Sequence, residues 1–141
     1  VLDSLIIDRE NDPNSHGTGK RLAKMYINEL MGGRYSPMPN ATSFPNHLED
    51  RYDGMLVVRS ELKSMCSHHH QTINGIVHIG YIASAEGSVV GLSKLNRIVE
   101  HFGRRGAIQE QLTVAIHNAV DKICEGNLGV AVQVNATHAC V

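Results

Sequence analysis

Hydrophobic residues recur along the chain at two spacings, and the changes between them mark out the elements. In residues 18–33, TGKRLAKMYINELMGG, Leu22, Met25, Tyr26 and Leu30 fall three or four apart. That spacing predicts a helix with Thr18 as its N-cap and Gly32-Gly33 as its stop. Residues 55–65, MLVVRSELKSM, and 75–84, GIVHIGYIAS, alternate as half-buried strands do, and 66–70 makes the turn between them. In 91–103, GLSKLNRIVEHFG, Leu95, Ile98, Val99 and Phe102 form one stripe, with Ser93 as candidate N-cap. In 107–127 the stripe is Ile108, Leu112, Ala115, Ile116, Ala119 and Ile123, and Gly126 ends the helix. The last segment, GVAVQVNATHACV, alternates again, with Val130, Val132, Val134 and Ala136 on one face.

Between these segments, 11–19 is rich in turn residues, and 34–54 holds three prolines and little pattern, so both read as loops. The predicted order is helix, two strands, two helices, strand. It implies one α+β domain with a mainly antiparallel sheet and its helices on one face. A chain of 141 residues is long enough to bury a core without disulfide staples.

Charge narrows the function classes. Thirteen basic and fourteen acidic side chains leave a formal charge of −1, with no basic stripe for general nucleic-acid binding. A local basic pocket for a small anion remains open. No apolar run approaches membrane-span length, so no membrane partner is expected. Three cysteines, Cys66, Cys124 and Cys140, do not make a disulfide framework and point to a reducing, cytoplasmic setting. GTGK at 17–20 lacks the glycine spacing and following Ser/Thr of a phosphate loop.

The chemistry concentrates at two places. Cys66 is followed by His68, His69 and His70, and the chain closes on His138 and Cys140. Alternation puts His138 and Cys140 on one side of the last strand, continuing the face of Val134 and Ala136. Two thiols from Cys66 and Cys140 with an imidazole from His69 would make a three-ligand zinc site with an open fourth position, the form of a catalytic zinc. His68 and His138 are then candidates for proton transfer. The spacing equally allows a structural zinc closed by His70, or a histidine cluster at an exposed turn with no metal. Cys124 reads as packing beside the helix stripe, and His16, His47, His78, His101 and His117 as surface or satisfied polar groups.

The segments KRLAKMYINELMGG, CSHHHQTINGIVHIGYI, GLSKLNRIVEHFGRR, IQEQLTVAI and ATHACV together resemble the GTP cyclohydrolase I family, in order and spacing, from about residue 18 to the end. The resemblance implies the two-layer tunnelling fold, with subunits joined into pentameric barrels stacked as a homodecamer and active sites at subunit interfaces. It implies zinc-dependent hydrolysis of GTP at guanine C8, release of formate and closure to 7,8-dihydroneopterin triphosphate, the opening step of folate and pterin synthesis. On this resemblance the zinc ligands are Cys66, His69 and Cys140, and the catalytic histidines His68 and His138. Ser93, Lys94, Arg97 and Arg21 fall at triphosphate-binding positions. Glu110 would grip guanine N1–H and its 2-amino group together, a pair adenine lacks, with Gln109 a further substrate contact.

The sequence departs from the family pattern at His70, where a large apolar residue is usual, and at Gly19, where proline is common. It stops at Val141, one residue past Cys140, where the family continues with a basic segment and further strand and helix. Residues 1–17 are therefore expected to be an N-terminal remnant, and 18–141 a catalytic domain lacking its C-terminal part. The rival reading is a non-catalytic tunnelling-fold oligomer that binds a nucleotide or pterin. Retention of His68, His138 and Glu110 together favours the enzyme, because a pure binder needs no pair of proton-transfer groups.

Overall fold

Alternation in the second half of the chain becomes a three-stranded antiparallel sheet. The computed structural model describes residues 1–46 and 52–140; His47 lies outside the described residues. In chain order the elements are α1 (Thr18–Met25), β1 (Ser43–Pro45), β2 (Met55–Met65), β3 (Thr72–Ala83), β4 (Ser88–Val90), α2 (Leu92–Gly103), α3 (Gln109–Ile123) and β5 (Asn127–His138). β2 pairs with β3 from Met55↔Ile82 to Met65↔Thr72. β3 pairs with β5 from Ile73↔His138 to Ala83↔Asn127, with an irregularity at Ile82/Ala83. The sheet order is β2-β3-β5, and β1-β4 form a separate antiparallel pair.

Period-two geometry sends Val58 and Leu62 of β2 and Ile73, Val77, Ile79 and Tyr81 of β3 to one face, where all are buried. α2 covers that face over β2 and α3 covers it next to β5. Leu95, Ile98 and Val99 come from α2, and Leu112, Ile116, Ala119 and Val120 from α3. Cys124, just past α3, is fully buried in the same core. The opposite face of β2 is exposed at Val57, Arg59, Glu61 and Lys63. The result is the two-layer α+β architecture expected, with α2 and α3 on one side of the sheet.

The first helix is not the continuous one predicted. α1 stops at Met25 and gives way to a π-helical turn, Tyr26–Leu30, and a 3-10 turn, Gly32–Arg34. The Arg104 guanidinium donates to the carbonyls of Glu29 (2.6 Å) and Asn28, last-turn groups that a helix end leaves without internal partners. Gly33 then packs on the carbonyls of His101 and Arg104, where a Cβ would collide. Both predicted caps are also displaced by one or two residues. Gly17, at φ 77°, caps α1 in place of Thr18, whose hydroxyl accepts from Arg21 instead. Gly91 caps α2, and Ser93 sits inside its first turn.

The proline-containing loop carries β1, which pattern alone did not reveal. Buried Asn46 fixes its end: its amide donates to the Tyr52 and Ser84 carbonyls and accepts the Tyr52 N–H. His101 is buried against Arg105 as a satisfied polar group. His78 is not satisfied: its Nδ1 is buried without a hydrogen-bond partner among the described residues.

Candidate metal centre

Four backbone hydrogen bonds assemble one end of the sheet. The Cys66 N–H donates to Gln71 O (2.8 Å) and the His70 N–H to Cys66 O (3.0 Å), closing the β2–β3 turn on itself. His70 takes φ 54°, the left-handed conformation that reverses the chain. The Ala107 N–H donates to Met65 O (3.1 Å), which holds the start of α3 against the end of β2. The Ala139 N–H donates to Thr72 O (3.0 Å), carrying the chain beyond β5 alongside the start of β3. Residues far apart in sequence therefore meet at this corner.

The ligand atoms of Cys66, His138 and Cys140 all lie within 4.8 Å of one another. Cys66 is buried, and the other two are half-buried. Burial raises the Cys140 thiol above its ordinary range, and the hydrogen bond to Cys66 and that residue's charge push it further. The Cys140 thiol thus holds its proton until a cation replaces it. Soft sulfur donors beside an imidazole suit zinc, so the donor set fits the metal that the turn and strand motifs suggested.

His68 and His69 stand outside that set. Both are exposed on the turn, with their rings edge to face at 6.3 Å. The His70 ring lies 5.7 Å from that of Tyr26. Gln109, the first residue of α3, reaches the cluster: its amide nitrogen donates to Val134 O (3.2 Å), and its Oε1 is 2.8 Å from His138 Nε2. The sequence offered Gln109 only as a substrate contact. The signal for its link to His138 was the pairing of a helix-start amide with an inward-facing strand histidine. Glu110 follows it, exposed in the first turn of α3.

The basic residues lie elsewhere. Gly103 packs against Lys63 O and Leu62, so the end of α2 is near the metal corner. The start of α2 follows Val90, whose N–H donates to the Tyr81 hydroxyl (2.8 Å), and Tyr81 pairs with Leu56 at the other end of β2. Leu56 is about 30 Å along the strand from Met65. Ser93 and Lys94 therefore sit at the other end of α2, roughly 15 Å along the helix from Gly103. Arg97, one turn on, lines a cavity of about 360 Å³ with Gly33, Glu100, His101 and Arg104. A larger cavity, about 840 Å³, follows β2 past Arg59, Lys63 and Ser64 and includes none of the three clustered residues. The Arg21 guanidinium is spent locally, donating to His16 O, Asn14 O and Thr18 Oγ1.

Comparison with known proteins fits this geometry. The profile of the GTP cyclohydrolase I family matches residues 2–141. The chain belongs to the GTP cyclohydrolase I family. It is 41% identical over 143 residues to GTP cyclohydrolase 1 of Aeromonas salmonicida (strain A449), covering 100% of this chain and 63% of that protein. It is 39% identical to GTP cyclohydrolase 1 of Flavobacterium johnsoniae, covering 61% of it, and 41% identical to that of Klebsiella pneumoniae, covering 62%. The chain spans about three fifths of the length of these curated GTP cyclohydrolase 1 relatives. Among the described residues, no helix is long and apolar enough to cross a membrane.

Proposed function

We propose that this chain, with residues 18–141 as its catalytic part, works in the cytoplasm in zinc-dependent hydrolysis of GTP at guanine C8. The products are formate and 7,8-dihydroneopterin triphosphate, which feeds pterin synthesis. What supports the reading is the cluster of two thiols and one imidazole at the sheet corner, in a chain of this family. Cys66 and Cys140 would hold the zinc, with His69 of the same turn as third ligand. Bound there, the ion supplies Lewis acidity and an activated water.

The chain's own residues supply the rest. Glu110 accepts N1–H and the 2-amino group of guanine and so selects the base. His138, beside the thiols, and His68, on the turn, pass protons to the purine as its five-membered ring opens, work suited to imidazole near neutral pH. Ser93, Lys94 and Arg97 hold the triphosphate, and Arg21 joins them by exchanging its local partners for phosphate oxygens. Because Ser93 and Lys94 lie at the end of α2 away from the metal corner, we assign them to the site of a neighbouring copy, as a homodecamer built of pentameric barrels would allow.

One observation favours a second reading of the ligands: His138, and not His69, lies within 4.8 Å of both thiols. Zinc content separates the two. If His69 is the ligand, His69→Ala loses zinc and His138→Ala keeps it while losing turnover by roughly 10²-fold or more. The reverse pattern makes His138 the ligand. The function itself is tested by incubating the zinc-loaded chain with GTP and following formate. Release of formate with a fluorescent pterin after oxidation is expected, and GTP bound but unchanged would favour the non-catalytic reading.

A further inference from the structure

We infer that Gln109 is a positioning residue for His138, fixing which ring nitrogen of that histidine faces the reaction. The Gln109 amide nitrogen lies 3.2 Å from the Val134 carbonyl, and its Oε1 lies 2.8 Å from His138 Nε2. Turning the amide over would set Oε1 against the Val134 oxygen, two acceptors with no proton between them. Val134 therefore fixes the amide, and the amide presents an acceptor to His138. Nε2 must then carry the proton and donate it to Oε1. A neutral ring so held keeps its lone pair on Nδ1.

This arrangement is anchored on two elements. Gln109 is the first residue of α3, and its own carbonyl accepts from the Thr113 hydroxyl (2.7 Å). Val134 and His138 share one face of β5, and His138 is held in register with Ile73. The start of α3 is itself tied to the end of β2 through Ala107 and Met65. The ring direction thus follows from how α3 docks on the sheet, and the turn that carries Cys66 is part of the same framework. Outer partners of this kind set histidine tautomer and orientation whether the ring carries protons or holds a metal.

The kinetic part of the inference rests on the proposed GTP reaction, and the tautomer part does not. It assigns Gln109 to His138 and not to guanine, so its loss should appear in kcat with KM for GTP little changed. The test begins with ¹⁵N-histidine NMR of the metal-free full chain at a pH where imidazole is neutral. His138 is expected as the Nε2–H tautomer. Gln109→Met should leave a mixture of tautomers. With zinc and GTP, Gln109→Met should lose roughly 10- to 100-fold in kcat. A wild-type His138 protonated on Nδ1, or an unchanged tautomer in Gln109→Met, overturns the inference. A loss carried by KM returns Gln109 to substrate binding. A chain without turnover would count against the proposed reaction, while the tautomer result would still decide the role of Gln109.

Discussion

Cys124 lies wholly inside the core at the end of α3, and burial pushes its thiol from 9.0 up to about 11, with the charge of Asp121 adding to the shift. The folded chain keeps this proton over a range where the unfolded chain releases it. Its stabilisation is complete below about pH 9 and is lost as pH rises towards about 11. The buried Tyr81 hydroxyl is shifted the same way by desolvation. We predict that the urea midpoint of the metal-free, reduced protein falls between pH 8 and pH 10, and falls less steeply in Cys124→Ala. Equal slopes in the two proteins would contradict the assignment. At this scale the sequence was legible where a residue's role follows from its own strand or helix. Cys124 beside a helical stripe read as packing, and it is. Tyr81 read only as one more strand residue, but its hydroxyl accepts the Val90 N–H and donates to the Val90 carbonyl. Asn46 was likewise silent, because its partners lie 6 and 38 residues away.

Among the elements, β2 was legible to the residue, since alternation alone sets its length. β3 begins three residues earlier than its apolar run, because pairing with Met65 extends it to Thr72. The first helix was legible to its last turn, but the change from α to π over Tyr26–Leu30 leaves no mark on its apolar spacing. The metal corner shows the same division. Cys66, Cys140 and the side of β5 that His138 shares with Cys140 were legible from a turn motif and a strand period, whereas the reach of Gln109 depends on how α3 docks. Gly75 is central to that corner. It pairs with Ala136 two residues before His138, and a Cβ there would meet Asn135 O and the Ala136 Cα and Cβ, the latter two at 2.6 Å. Gly75→Ala should therefore wedge β5 away from β3, costing about 1–3 kcal/mol of stability and weakening zinc retention with it. A variant that is less stable yet retains zinc fully would show that the corner does not depend on this pairing.

For the molecule as a whole, the separation of the basic residues from the cysteines is the feature the sequence could not supply. Ser93, Lys94 and Arg97 lie on one helix, and nothing in their spacing shows that its last residue, Gly103, and not its start, packs by the metal corner. If the active site is shared between copies, a Cys140→Ser chain and a Lys94→Ala chain should each be inactive alone. Mixed and reassembled, they should regain a fraction of wild-type formate release, since some sites would draw both groups from intact neighbours. No recovery in a mixture shown to contain mixed oligomers would place the whole site within one chain.

If the turn after β2 and the end of β5 join to hold one zinc ion on two thiols, X-ray absorption at the zinc edge of the loaded full chain should show it. Two sulfur neighbours at about 2.3 Å and nitrogen at about 2.0–2.1 Å are expected, with one sulfur lost in Cys140→Ser. A zinc shell of nitrogen and oxygen alone, or one unchanged by that substitution, would contradict it.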